Sequence, residues 1–243
     1  MNEHVFERFD AELDKLRSRL IKMGTLVQQQ IENTIKALID DDKNIANLVI
    51  AGDEKINRID VKIDKQCMRI FAMLQPVASD LRVTMSALSI NDNLELIGDI
   101  LVDIAETVLK MPEVPEAISR SKIIEFGKTV EKMMTLSVDS FIYANTNLAD
   151  EVLELRKLGK EQFNEALDYH IAMIKADVNM AEYCSYLNDT GRNMKFISDL
   201  AANIAHEIIF IVDARIVRHG YQLNRSEIYE EDSDASIINS NKE

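Results

Sequence analysis

Only seven glycines and three prolines punctuate 243 residues. These two residue types supply most tight turns, and an average chain carries about 7% and 5% of them. A chain this short of turn residues has few turns, so it must be built from a few long elements. With 47% apolar residues, those elements have faces to bury. Folds of many short strands are excluded. So are enzymes whose phosphate loops need clustered glycines, since neither GxGxxG nor GxxxxGK[ST] occurs. No anion site is visible at this level.

The apolar spacing is helical almost throughout. Phe6, Phe9, Leu13, Leu16, Leu20, Met23, Val27, Ile31 and Leu38 recur at steps of three, four and seven, which predicts a helix over 4–39. Asp40, Asp41 and Asp42 then interrupt the pattern and offer an N-cap for a helix over 43–73. Gln75-Pro76 opens a third helix over 77–110. Met111-Pro112-Glu113-Val114-Pro115 is the strongest boundary in the chain. Beyond it the pattern predicts helices over 116–146, 149–174 and 177–218, with Gly220 as a stop. Residues 224–243 are acidic and poor in apolar side chains, and a disordered tail is expected there.

Three helices, a proline-rich break and three more helices point to an internal duplication. Residues 93–105 align with 193–205 at an offset of 100, keeping Asn, Ile, Asp, Ile and Ala. Residues 22–26 resemble 132–136 at an offset of 110. The predicted fold is all-α: two tandem three-helix bundles over 1–111 and 112–223.

The third helix carries a carboxylate stripe. Asp92, Glu95, Asp99, Asp103 and Glu106 fall within a sector of roughly 80° at 3.6 residues per turn. Asp53, Asn57, Asp60 and Asp64 form a second stripe on the second helix. Like charges at i, i+4 repel, so such rows call for solvent or cations. Facing stripes suit oxygen-seeking metals such as magnesium, manganese or iron. A solvated surface stripe is the plain alternative. In the second half Lys195, Asn203 and His206 replace Glu95, Asp103 and Glu106. Matching the second and fifth helices at an offset of 104 sets Lys157 and Asn164 against Asp53 and Asp60, while Asp168 keeps the acid of Asp64. Lysines oppose a cation, so a second metal site is expected to be weak or lost.

A net charge of -14 with no Trp disfavours nucleic acid as a partner. No apolar run approaches the 18 or so residues of a membrane span, and the N-terminus lacks a secretory pattern, so a cytoplasmic protein without direct membrane insertion is expected. Cys67 and Cys184 sit inside helical patterns; they could pair in one disulfide, but two buried free thiols are expected. No His has Glu three residues before it, which excludes the ferritin-like di-iron pattern. No local nucleophile motif is present.

Residues 75–82, Gln-Pro-Val-Ala-Ser-Asp-Leu-Arg, resemble the Q-P-V-A-x-D-L-R segment of the PhoU family. Residues 93–105 resemble that family's N-L-E-R-I-G-D-x-x-x-N-I-A segment, which occurs in both halves. The resemblance covers about residues 5–220. It implies two three-helix bundles side by side, homodimeric in many members, forming a cytoplasmic, non-catalytic regulator. It implies an adaptor that restrains a Pst-type phosphate transporter, through its ATPase subunit, and a PhoR-type sensor histidine kinase when phosphate is plentiful. It also implies metal clusters on an E/D-x-x-x-D motif, here Glu95 and Asp99 with Asp103 in place of the usual Asn. The sequence departs from the pattern at Leu96, and at Lys195, Phe196 and Ser198 in the second half. The metal candidates are therefore Glu95, Asp99, Asp103, Asp60 and Asp64, with Asp199 in the second half, for iron, zinc, manganese or magnesium. A metal-storing helical protein, a metal-dependent hydrolase and a purely structural scaffold are the alternatives.

Overall fold

The structure is a computed structural model that describes residues 2–112, 122–218 and 221–223. Six helices follow one another: α1 (Asn2–Asp40), α2 (Lys43–Leu74), α3 (Ala78–Lys110), α4 (Lys122–Tyr143), α5 (Thr146–Ala176) and α6 (Ala181–Asp213). Two three-residue strands, β1 (Ile216–Arg218) and β2 (Tyr221–Leu223), pair antiparallel with Ile216 opposite Leu223. The helical reading of the sequence holds, with three corrections.

The sixth helix ends at Asp213 rather than at 218. Ala214 turns left-handed at φ 52°, and the β-branched pair Ile216 and Val217 enters a strand. A 3-10 turn, Val178–Met180, precedes α6, with Asp177 accepting from the backbone N–H of Asn179 at 3.0 Å. The fourth helix is described only from Lys122, so its expected first residues lie outside the described residues. So do Gly220 and the expected tail.

The third correction concerns the duplication. Adding 103 to the buried positions of α1 and α2 gives the buried positions of α4 and α5. Leu20, Met23, Val27 and Ile31 become Ile123, Phe126, Val130 and Met134; Ala46, Val49 and Ile63 become Ala149, Val152 and Ala166. The connections obey the same offset. Asp41 and Ala144 are left-handed at φ 50° and 48°. Asp42 and Asn145 then cap α2 and α5 with their side chains. Between α3 and α6 the offset is 100, as the sequence showed: Ala87, Ile90, Ile97 and Ile104 become Leu187, Thr190, Ile197 and Ile204. The offsets of 110 and 104 are wrong: the first pairs Met23 with Met133 by identity although the buried face pairs Met23 with Phe126, and the second rests on rim residues, which are free to drift while the buried face is not.

Within each half the three helices pack mutually, and the halves meet along α1 with α4 and α3 with α6. The contacts are reciprocal. A Cβ on Gly24 of α1 would meet Val138 at 3.0 Å, and one on Gly127 of α4 would meet Ile35 at 3.6 Å. Gly24 and Ile35 map onto Gly127 and Val138 at 103, so an approximate two-fold relates the halves. One apolar cluster runs through all six helices, from Leu16 and Ile63 through Ile104 to Phe126, Ala166 and Ile208. At the seam, Ser86 and Ser89 of α3 donate to the buried Glu207 of α6 at 2.7 and 3.1 Å.

Both cysteines are buried and free. Burial, and then the charge of Asp64, push the Cys67 thiol up to about 12, which makes it inert as a nucleophile. Among the described residues no helix is long and apolar enough to cross a membrane.

Candidate functional site

The groove between α2 and α3 gathers the acidic residues of both stripes. Heptad-like spacing of Ile56, Ile59, Ile63 and Ile70 buries one side of α2. That orientation leaves Asp53, Asp60 and Asp64 half-buried along its edge, facing Asp92, Glu95 and Asp99 on α3. The helices approach closely at Gly98, where a Cβ would lie 3.0 Å from Asp53 Oδ1 and 3.2 Å from Ile56. Gly98 thus lets Asp53 tuck beneath α3.

Two amides hold this row in place. Asn91, fully buried, donates from Nδ2 to Asp60 Oδ1 at 2.6 Å and to Asp64 Oδ1 at 3.1 Å. Asn57 donates to Asp53 Oδ2 at 2.7 Å. The other oxygen of Asp53 is buried without a hydrogen-bond partner, a condition that costs free energy unless a cation or proton relieves it. Burial pushes the Glu95 carboxyl above its ordinary value, and Asp99, Asp60, Asp53 and Asp92 push it further. Asp60 is raised by burial and by Asp64, against the hydrogen bond from Asn91. Asp53 and Asp92 are raised by burial first and by Asp99 and Asp64 respectively among their neighbours. These are carboxylates that repel one another in a partly desolvated cleft.

Five of the sequence candidates, Asp60, Asp64, Glu95, Asp99 and Asp103, lie in the first bundle. The first four come together with Asp53 and Asp92. Asp103 is exposed further along α3, with its backbone carbonyl accepting from Thr107 at 2.9 Å. Among the described residues no three acidic, imidazole or thiol groups converge closely enough to hold one metal ion together. The acids form a row rather than a cage. Asn91 was missed in the sequence; its signal was a polar residue at a position the α3 pattern marks as core.

The matching groove of the second bundle is chemically different. At the offset of 103, Arg156 stands for Asp53, Lys160 for Asn57, Phe163 for Asp60 and Leu167 for Asp64. At the α3/α6 offset of 100 Gly191 stands for Asn91, and its missing side chain is filled by Phe163, whose ring would lie 3.2 Å from a Cβ there. Asp199 is engaged by Arg156, at 2.8 Å from Nε and 2.7 Å from Nη2, and by Lys195 at 3.5 Å. Two cations on one acid do not fit a metal ligand.

The PhoU domain family model matches residues 20–108 and 123–208. The two matches start 103 residues apart and end 100 apart, the same offsets as the buried faces. A Pseudomonas aeruginosa protein named phosphate-specific transport system accessory protein PhoU homolog is 32% identical over 220 residues, covering 90% of this chain and 91% of the relative. The Serratia marcescens accessory protein PhoU is 31% identical over 225 residues, with 90% of each chain covered. The crystal structure of PhoU from Pseudomonas aeruginosa superposes with a TM-score of 0.79 at 31% identity, covering 85% of this chain and 99% of that one. The PhoU structure from Streptococcus pneumoniae, at 24% identity and a TM-score of 0.77, shares the fold.

Proposed function

This chain belongs to the PhoU family, and on that premise we propose that it is a regulatory accessory of a phosphate-specific transport system. The observation that carries the reading is the match to proteins so named, at about 30% identity over both halves and 90% of the chain. In this reading residues 1–111 and 112–223 are the two repeats. The protein is a non-catalytic adaptor that works in the cytoplasm, as a homodimer. It holds the transporter's ATPase subunit and a PhoR-type sensor kinase in check when phosphate is plentiful. Large helical faces with exposed apolar side chains such as Met68, Met73, Val77, Leu81 and Met85 suit a protein that works by contact.

Deletion of the gene tests the role. Phosphate uptake should lose its restraint in rich medium, with phosphate-responsive genes expressed under both conditions. Unchanged uptake and expression in rich and poor medium would refute the role. Recovery of a transporter ATPase or a sensor kinase with the tagged protein, stronger in high phosphate, tests the partners.

A second reading is favoured by the α2/α3 row. Half-buried carboxylates with raised pKa values and one orphaned oxygen fit hard cations bound through one or two carboxylates and retaining their waters, the habit of magnesium and manganese. Glu95, Asp99, Asp53 and Asp60 would hold such ions, which would supply charge neutralisation across the groove. Iron or zinc, which favour closed donor sets, suit the row less. A bound cation is compatible with the adaptor role. Loss of phosphate control on Glu95→Ala with Asp99→Ala would tie the two together.

A further inference from the structure

The α5/α6 groove holds an open hollow of about 310 Å³ lined mainly by charged side chains. Arg156, Lys157 and Lys160 come from α5, Lys195 and Asp199 from α6, and the buried Phe126 of α4 lies beneath. Four cations converge there in a chain whose net charge is -14. Asp199 is shared by Arg156 and Lys195, and Glu154 pairs with Lys157 at 2.8 Å. Lys160 has no ion-pair partner among the described residues. Four cations against two carboxylates leave the groove positive, and like charges around one hollow call for solvent or an anion among them.

The geometry suits a compact oxyanion. Asp199 accepts from both Nε and Nη2 of Arg156, which fixes the guanidinium plane and leaves its remaining N–H groups for a ligand. A planar guanidinium flanked by point-charge ammonium groups is the donor set that phosphate oxygens select. The cavity is at the small end of ligand pockets, too small for an extended chain and ample for a phosphate group. The fold alone does not force this charge. The matching positions of the first bundle, under the offsets of 103 and 100, carry Asp53 for Arg156 and Glu95 for Lys195.

We propose that the α5/α6 groove is a binding site for a small phosphate-bearing anion, held by Arg156, Lys160 and Lys195. The site stands on its own side chains and does not depend on the regulatory role above.

The test is calorimetric titration of the full chain with inorganic phosphate and, separately, with ADP, at ionic strength held constant with potassium chloride. Both titrations are repeated on Lys160→Glu with Lys195→Glu. Neither side chain belongs to the apolar core, and helical circular dichroism checks that the variant folds. Should it not fold, Lys160→Ala with Lys195→Ala replaces it. Saturable binding by the native chain, weakened about tenfold or more in the variant, is the expected result. Tighter binding of inorganic phosphate assigns the site to the free ion, and tighter binding of ADP assigns it to a nucleotide; either outcome upholds a phosphate site. The inference is overturned by no saturable binding of either ligand or by equal binding in the folded variant.

Discussion

The α2/α3 groove and the α5/α6 groove occupy the same place in two copies of one bundle, yet their charges are opposite. The difference is not one of overall composition. Residues 1–111 hold 19 acids and 14 bases and residues 112–223 hold 17 and 12, so each half carries -5. What changed is where the charges stand. In the first groove an amide at Asn91 bridges Asp60 and Asp64. In the second, Phe163 fills the space above Gly191 and the acids at those two positions are gone. The buried frame kept its register while its rim was rewritten. One duplicated scaffold thus carries two matching grooves of opposite side-chain charge.

The largest expected effect tests whether the halves are energetically one body. Met23 and Phe126 are matched positions, both fully buried in the molecule. Truncating either to Ala should cost about 2–5 kcal/mol. Because the apolar cluster is continuous across the halves, urea unfolding should show a single transition shifted in both variants. Two transitions, with only one moved, would mean the halves unfold separately.

The second prediction transplants one groove into the other. Gly191→Asn places a side chain where Ile123 and Phe163 would lie 2.9 and 3.2 Å from its Cβ. Overpacking of this kind costs about 1–3 kcal/mol, measured as a lower urea midpoint. An unchanged midpoint would show that Phe163 yields readily and that the two grooves differ less than their geometry suggests.

The third uses pH. The carboxyls of Asp53, Asp60, Asp92 and Glu95 are raised in the fold. Their protonation therefore favours the folded state. That stability is fully present below their unfolded values near pH 4 and is lost as pH rises through the raised folded values. His170 acts oppositely, since burial lowers its pKa and its stability is lost as pH falls. The clean observable is a difference between proteins. Asp53→Asn with Glu95→Gln should be more stable than the native chain at pH 7, and that gain should shrink toward pH 4. A gain independent of pH would remove repulsion as its cause. Magnesium or manganese should raise the native thermal midpoint more than that of the variant.

The smallest effect concerns the matched turns. Ala144 and Asp41 both adopt left-handed backbone, which penalises a side chain. Ala144→Gly should stabilise by up to about 1 kcal/mol, read as a small rise in thermal midpoint. A fall would show that the Ala144 methyl contributes packing, since it lines an apolar hollow with Leu13, Phe141 and Ile211.

Helix count and most boundaries were legible in the sequence because burial of one face imposes the apolar period, and Asp42, Gln75-Pro76 and Met111-Pro112 mark the breaks chemically. The α3/α6 register was legible too, since both helices are packed on several sides and little of their sequence could drift. The α1/α4 and α2/α5 registers were not, because the Lys-Met-x-Thr-Leu identity of 22–26 with 132–136 is a local coincidence that sets Met23 against Met133 instead of Phe126, and the α2/α5 match at 104 rests on charged rim residues that drift. The one-residue slip between α2 and α5 set Lys157 against Asp53 and hid Arg156. The acidic groove could be seen as two stripes on two helices. The basic groove could not, since its cations come from separated stretches and each has a bland surface reading alone. The strand after Asp213 was masked by an apolar run, Ile208 to Val212, that suits either helix or sheet.

The most direct measurement of opposite ion environments is a manganese titration followed by paramagnetic broadening in the two-dimensional amide spectrum of the full chain. Broadening should centre on residues 53–64 and 92–99 and spare 156–160 and 195–199. Equal broadening of both grooves, or broadening centred on the second, would contradict the account.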